Sequence, residues 1–139
     1  MATGTAGNVA RDYQKQMIHY LRKGFTKADA GSVLTLGTIP AGSQILNLIS
    51  GVFVREVFAA GTNNRLDIGT TADDDLYATD LALGTKAFVA LDEAATATGV
   101  NAWYVSSATT LTATVDVTGT TSATGAAEIV IAYVPDNDG

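Results

Sequence analysis

Thr110–Thr118 reads TLTATVDVT, and its alternation decides the fold class. Leu111, Ala113, Val115 and Val117 fall on one side of an extended chain. Thr110, Thr112, Thr114, Asp116 and Thr118 fall on the other, which is the pattern of a strand with one buried and one wet face. Downstream, Glu128–Val134 (EIVIAYV) is apolar on both sides, as expected of a central strand or of one covered by a neighbouring subunit. Upstream, Ser32–Ile39 (SVLTLGTI) is rich in β-branched residues and ends at the turn triplet Pro40-Ala41-Gly42. Gln44–Phe58 (QILNLISGVFVREVF) is too long for one average strand, and a bulge or bend is expected at Ser50-Gly51. Ala60–Asn64 supplies Gly and Asn, which tolerate positive φ, so Val52–Phe58 and Arg65–Ile68 are expected to pair as a hairpin.

Leu76–Leu83, Lys86–Leu91 and Asn101–Ser106 complete the series of strands. Turn clusters at Thr70–Asp75, Gly84-Thr85, Asp92–Gly99 and Gly119–Gly125 separate them. No long amphipathic helix interrupts the run, which disfavours a parallel βαβ architecture. The expected fold is an all-β antiparallel sandwich of eight or nine strands. A jelly roll is favoured over the immunoglobulin type, whose Cys-Trp-Cys pattern is missing.

The N-terminal part reads differently. Met1–Ala10 is built mainly from Gly, Ala, Thr and Asn and is expected to be an arm that orders only against a partner. Arg11–Phe25 fits two periods. Tyr13, Met17, Tyr20 and Leu21 share a helical face, whereas Met17, His19, Leu21 and Phe25 share one face of a strand; an extended arm leading into a strand is favoured. Residues 1–27 are therefore expected to be an arm with a first element, and residues 28–139 the sandwich.

The 139 residues include eight Lys or Arg, fourteen Asp or Glu, one His, no Cys, twenty Thr and twenty-three Ala. The length suits one domain that folds without disulfides or metal. Without Cys there is no disulfide scaffold, thiolate zinc site, iron–sulfur cluster or cysteine nucleophile. The net charge of −6 argues against a general nucleic-acid binder. Met1–Asn8 does not read as a targeting signal, and no stretch approaches eighteen consecutive apolar residues. The charge is uneven: Met1–Ala28 sums to +4, through Arg11, Lys15, Arg22, Lys23 and Lys27 against Asp12, and Asp29–Gly139 sums to −10. A basic segment on an acidic body can grip an acidic surface on another protein or on a second copy.

Chemistry finds little to stand on. His19 is the only histidine, and no G-x-S-x-G elbow accompanies it. Asp73-Asp74-Asp75, with Asp67 or Asp80, could offer oxygens to calcium, but the spacing lacks the alternation and distal Glu of a known loop type. A solvated turn is expected instead. No glycine pattern forms a phosphate loop. A single Trp is poor provision for a sugar cleft, so a carbohydrate-binding or hydrolytic sandwich is disfavoured. No catalytic residue, cofactor or metal ligand is assigned, and an enzyme is not expected. Trp103 is expected in the core or a subunit interface, with Ile129, Ile131 and Tyr133 as further interface candidates.

Leu34–Leu83 resembles the small decoration, or cement, proteins of tailed-bacteriophage capsids. The likeness rests on a strand ending in G-T-I-P-A-G (Gly37–Gly42), on V-x-R-E-x-F-x-x-G-T-N-N (Val54–Asn64), on L-D-I-G-T (Leu66–Thr70), and on the acidic tip that follows. It implies a jelly-roll-like sandwich that binds the outside of the head and stabilises the lattice. The implied partner is the major capsid protein, the implied assembly a homotrimer, and the implied location the exterior of a virion made in the host bacterial cytoplasm. From the net charge and the lack of a long apolar run, neither a nucleic acid nor a membrane is expected as a partner. The resemblance also gives the arm a role in gripping the shell, making Arg11, Tyr13, Lys15, Arg22, Lys23 and Lys27 the candidate docking residues. Another virion component, such as a tail-tube, tail-tip or adhesin domain, is the alternative.

Overall fold

A computed structural model describes residues 17–91, 103–120 and 124–136. Met1–Ala10, Arg11, Tyr13, Lys15 and Asp92–Gly99 lie outside the described residues.

Two antiparallel sheets face each other. Sheet A holds β1 (His19–Thr26), β3 (Ser43–Ile45), β4 (Gly51–Glu56), β7 (Phe88–Ala90), β8 (Tyr104–Val105) and β10 (Ala126–Val134). Sheet B holds β2 (Val33–Ile39), β5 (Asn63–Gly69), β6 (Ala78–Ala82) and β9 (Thr109–Thr118), in the order β2-β9-β5-β6. The pairing is nested. β1 lies on β10, β2 on β9, β3 on β8, β4 on β7 and β5 on β6, as in one long hairpin folded over on itself. Wrapping that hairpin joins β4 to β10 and β5 to β9, so β1-β10-β4-β7 packs against β2-β9-β5-β6. This is a jelly roll, as expected.

The nesting corrects several finer expectations. β1 pairs with β10 along its whole length, from His19↔Tyr133 to Thr26↔Ala126, so it belongs to the sandwich rather than to an arm ahead of residue 28. Val52–Phe58 and Arg65–Ile68 do not form a hairpin, because β4 stays in sheet A while β5 lies in sheet B. The Asn64 side chain holds the crossing: its Oδ1 accepts from Ala60 N at 2.7 Å and its Nδ2 donates to Ala60 O at 2.8 Å. This closes a wide loop where a two-residue turn would have returned the chain to the same sheet. The local hairpin is instead β5–β6, with the acidic tip at its end.

Gln44–Phe58 breaks near the expected bend, giving β3, a 3-10 turn over Asn47–Ile49, and β4 starting at Gly51. The split helps raise the count to ten strands among the described residues. Gly51 is needed because a Cβ there would sit 2.1 Å from the Val89 carbonyl oxygen of the neighbouring strand. The Ser50 hydroxyl secures the break, donating to Leu46 O at 2.7 Å and accepting from Ala132 N at 2.8 Å.

The core lies between the sheets. Leu111, Ala113, Val115 and Val117 of β9 are buried there, as their alternation predicts, and meet Val52, Val54, Ile129 and Ile131 of sheet A. On the outer face of β9, Thr110 and Thr118 are exposed. Thr112 is an exception to the expected wet face. It is 7% exposed, lying in register between Thr35 of β2 and Gly69 of β5.

Candidate docking surfaces

Residues on β10 alternate between core and surface, and this settles where the expected interface residues lie. Ile129 and Ile131 are 0% exposed and Tyr133 is buried beside them, all on the inner face. They are core side chains, not subunit contacts, because a side chain already enclosed by its own sandwich has no surface to give a partner. Trp103 is half-buried. Its ring lies 6.1 Å from Tyr77, and its carbonyl accepts from Ile45 N at 2.7 Å, so it too is packed onto the core.

Of the expected docking residues, Arg22, Lys23 and Lys27 are described. Arg22 lies on the outer face of β1 and pairs diagonally with Glu128 of β10, which neutralises it within the chain. Lys23 is exposed and in register with Ile129, so its stem starts on the inward side of an edge strand. An inward-pointing charge of this kind discourages another strand from adding to the edge. Lys27 begins a 3-10 turn, Lys27–Asp29, fixed by a capping box. Thr26 Oγ1 accepts from Ala28 N, and Asp29 Oδ2 accepts from Thr26 N at 2.9 Å. Among the described residues Lys23 and Lys27 form no ion pair, so they carry the uncompensated positive charge of this edge. His19 is exposed, with its ring 5.8 Å from that of Tyr133.

The two outer faces are chemically unlike. Sheet B presents threonines and acids: Thr38 bonds Thr110 at 2.8 Å, Asn63 donates to Asp116 at 2.9 Å, and Arg65 pairs with Asp80 at 2.8 Å. The β5–β6 tip adds Asp73, Asp74 and Asp75, whose carboxylate oxygens lie within 4.8 Å of one another. A hydrogen bond to Asp75 raises the Asp73 carboxyl above the usual aspartate range. Thr70 closes the turn, its N–H donating to Asp73 O at 2.7 Å.

Asp67 accepts from Asp80 N at 2.6 Å, but partial burial and the charges of Asp80, Asp74 and Asp75 push its pKa up. A raised folded-state pKa means that the ionised form costs stability above that pKa, and that the cost disappears as pH falls below the unfolded value. Asp67→Asn keeps the acceptor oxygen and is expected to stabilise the protein at neutral pH. Thermal melts of both forms should converge as the pH is lowered through the carboxylate range. A gain that persists in acid would mean the charge is not its source.

Sheet A's outer face is aromatic, a feature the sequence reading did not find. Phe53 and Phe88 are cross-strand partners whose rings pack at a tilt of 37° with centroids 4.6 Å apart. Tyr20, Leu48, Ile49 and Tyr104 are also exposed. A signal was present in Val52–Val54, where Phe53 must oppose the two inward valines.

No family model matches the sequence, and no curated protein matches it. Among solved structures, a chain described as "Cyanophage Pam1 capsid asymmetric unit" superposes with a TM-score of 0.58 at 17% identity, covering 86% of this chain and 84% of that one. The likeness is one of fold. No helix among the described residues is long and apolar enough to cross a membrane.

Proposed function

We propose that the protein is a virion structural component that binds the exterior of a phage head and stabilises its lattice. The observation that carries this is the jelly-roll sandwich, whose fold is shared over most of its length with a chain of a phage capsid asymmetric unit. The resemblance of Leu34–Leu83 to decoration proteins supports the same reading. The protein acts by binding alone, with the major capsid protein as partner and copies grouped as a homo-oligomer, a trimer by the family likeness.

The basic edge supplies the grip. Lys23 and Lys27, with Arg11 and Lys15 ahead of them in sequence, form the positive end of a chain that is otherwise acidic. Several weak ionic contacts per copy, repeated over an oligomer, give a slow off-rate without any tight single site.

Co-sedimentation with expanded phage shells tests the reading. The chain with Lys23→Glu and Lys27→Glu is expected to bind shells less well than the wild type. Wild-type binding should weaken as salt rises, since exposed charges are screened over about 8 Å at physiological ionic strength. Wild-type protein that leaves the shells bare at low salt would refute the reading.

A further inference from the structure

We infer that the aromatic outer face of sheet A is where a second copy of this chain packs, which names the contact surface of the proposed homo-oligomer and rests on that reading. Register brings Tyr20, Phe53, Phe88 and Tyr104 to this side, and the 3-10 turn, anchored at both flanks to Ala132 of β10, exposes Leu48 and Ile49 beside them; the six are between 38% and 82% exposed. At about 200 Å² per large side chain they expose roughly 650 Å². That approaches the ~800 Å² that each partner contributes to a stable interface.

Charge selects a second copy as the occupant. Each chain carries −6, so two copies repel unless they meet where the charge is balanced. On the outer face of sheet B and the adjoining tip, Asp67, Asp73, Asp74, Asp75, Asp80 and Asp116 are opposed among the described residues only by Arg65, so a second copy, itself negative overall, is repelled there. On sheet A's face the Arg22–Glu128 pair is already closed within the chain, and Arg55 and Glu56 offset each other. A large, aromatic, charge-balanced surface matches contacts between identical subunits, which are more apolar than contacts made by separately stable partners.

Sedimentation velocity on the full chain tests this, with circular dichroism confirming the fold of each variant. Wild-type protein is expected to run at a multiple of the single-chain mass at micromolar concentration. Phe53→Glu should run as a folded single chain. Leu48→Glu, at a side chain outside the core, should do the same and replaces Phe53→Glu should that variant fail to fold. Val33→Glu, exposed on the edge of sheet B, should leave the assembly intact. Wild-type protein that stays monomeric overturns both the surface and the homo-oligomer. Folded Phe53→Glu or Leu48→Glu protein that keeps the wild-type mass overturns the surface alone. If the wild type is monomeric but Leu48→Glu abolishes shell binding, the face belongs to the capsid and self-association is refuted. Wild type that is oligomeric yet leaves shells bare refutes shell binding and leaves this surface standing.

Discussion

Phe58→Ala is expected to lower the free energy of unfolding by about 3–5 kcal/mol, the range for losing a large buried aromatic. Phe58 is 1% exposed and stacks on Phe25 of β1 with ring centroids 5.4 Å apart. Its backbone N–H donates to Leu83 O at 3.1 Å, just beyond β6, and its ring fills the space over Gly125, ahead of β10. One side chain thus ties the first strand, the crossing between sheets and the entry to the last strand. The fit is tight: a Cβ at Gly125 would lie 2.5 Å from Phe58 Cδ1, and the residue has φ of +145°. A domain of ordinary stability has roughly 5–15 kcal/mol in total, so this truncation removes a third or more of it in most of that range. Urea unfolding followed by circular dichroism should show a lower midpoint with a nearly unchanged slope. A midpoint within a few tenths of a molar of the wild type would show that Phe58 does not join these elements.

Ile129→Asp is expected to abolish folding altogether. Ile129 is 0% exposed, opposite Lys23 on one side and Val52 on the other, with its side chain among the apolar residues between the sheets. A carboxylate there would lose its hydration, and the one cation in register with it, Lys23, is exposed at the sheet edge rather than enclosed beside it. The effective penalty is several kcal/mol, added to the loss of packing, and together these rival the whole stability of the domain. Expression followed by circular dichroism should yield aggregated or unfolded chain. The alternative role makes the opposite prediction: an isoleucine serving only a contact between subunits would give a folded, soluble single chain when changed to Asp. Recovery of such a chain would return Ile129 to the interface.

The fold was largely legible because single-face alternation and turn chemistry are local properties. Thr110–Thr118 announces its buried side residue by residue, and Ser50-Gly51 marks the break where a neighbouring carbonyl leaves no room for a side chain. Pairing was less legible. Gly and Asn within Ala60–Asn64 suit a hairpin as well as a crossing, and what decides is the pairing of β4 with β10 and of β5 with β9, strands more than forty residues away. Apolarity on both sides of β10 has the same limit. Its inner residues fill the chain's own core, while Ala132 on the outer side is covered where Ser50 bonds its backbone. The aromatic face escaped notice because its members come from four strands and a 3-10 turn, each giving only one or two side chains. Asp73–Asp75 could be placed at a loop tip from sequence, but not the influence of Asp74 and Asp75 on Asp67, which requires β5 and β6 to be paired.

A reconstruction of phage heads after adding the purified protein is the most direct test of the central claim. Density for a jelly roll is expected on the outer surface of the expanded shell, with the Lys23–Lys27 edge toward the major capsid protein and sheet A turned toward a neighbouring copy. Bare shells, or density confined to the tail, would contradict it.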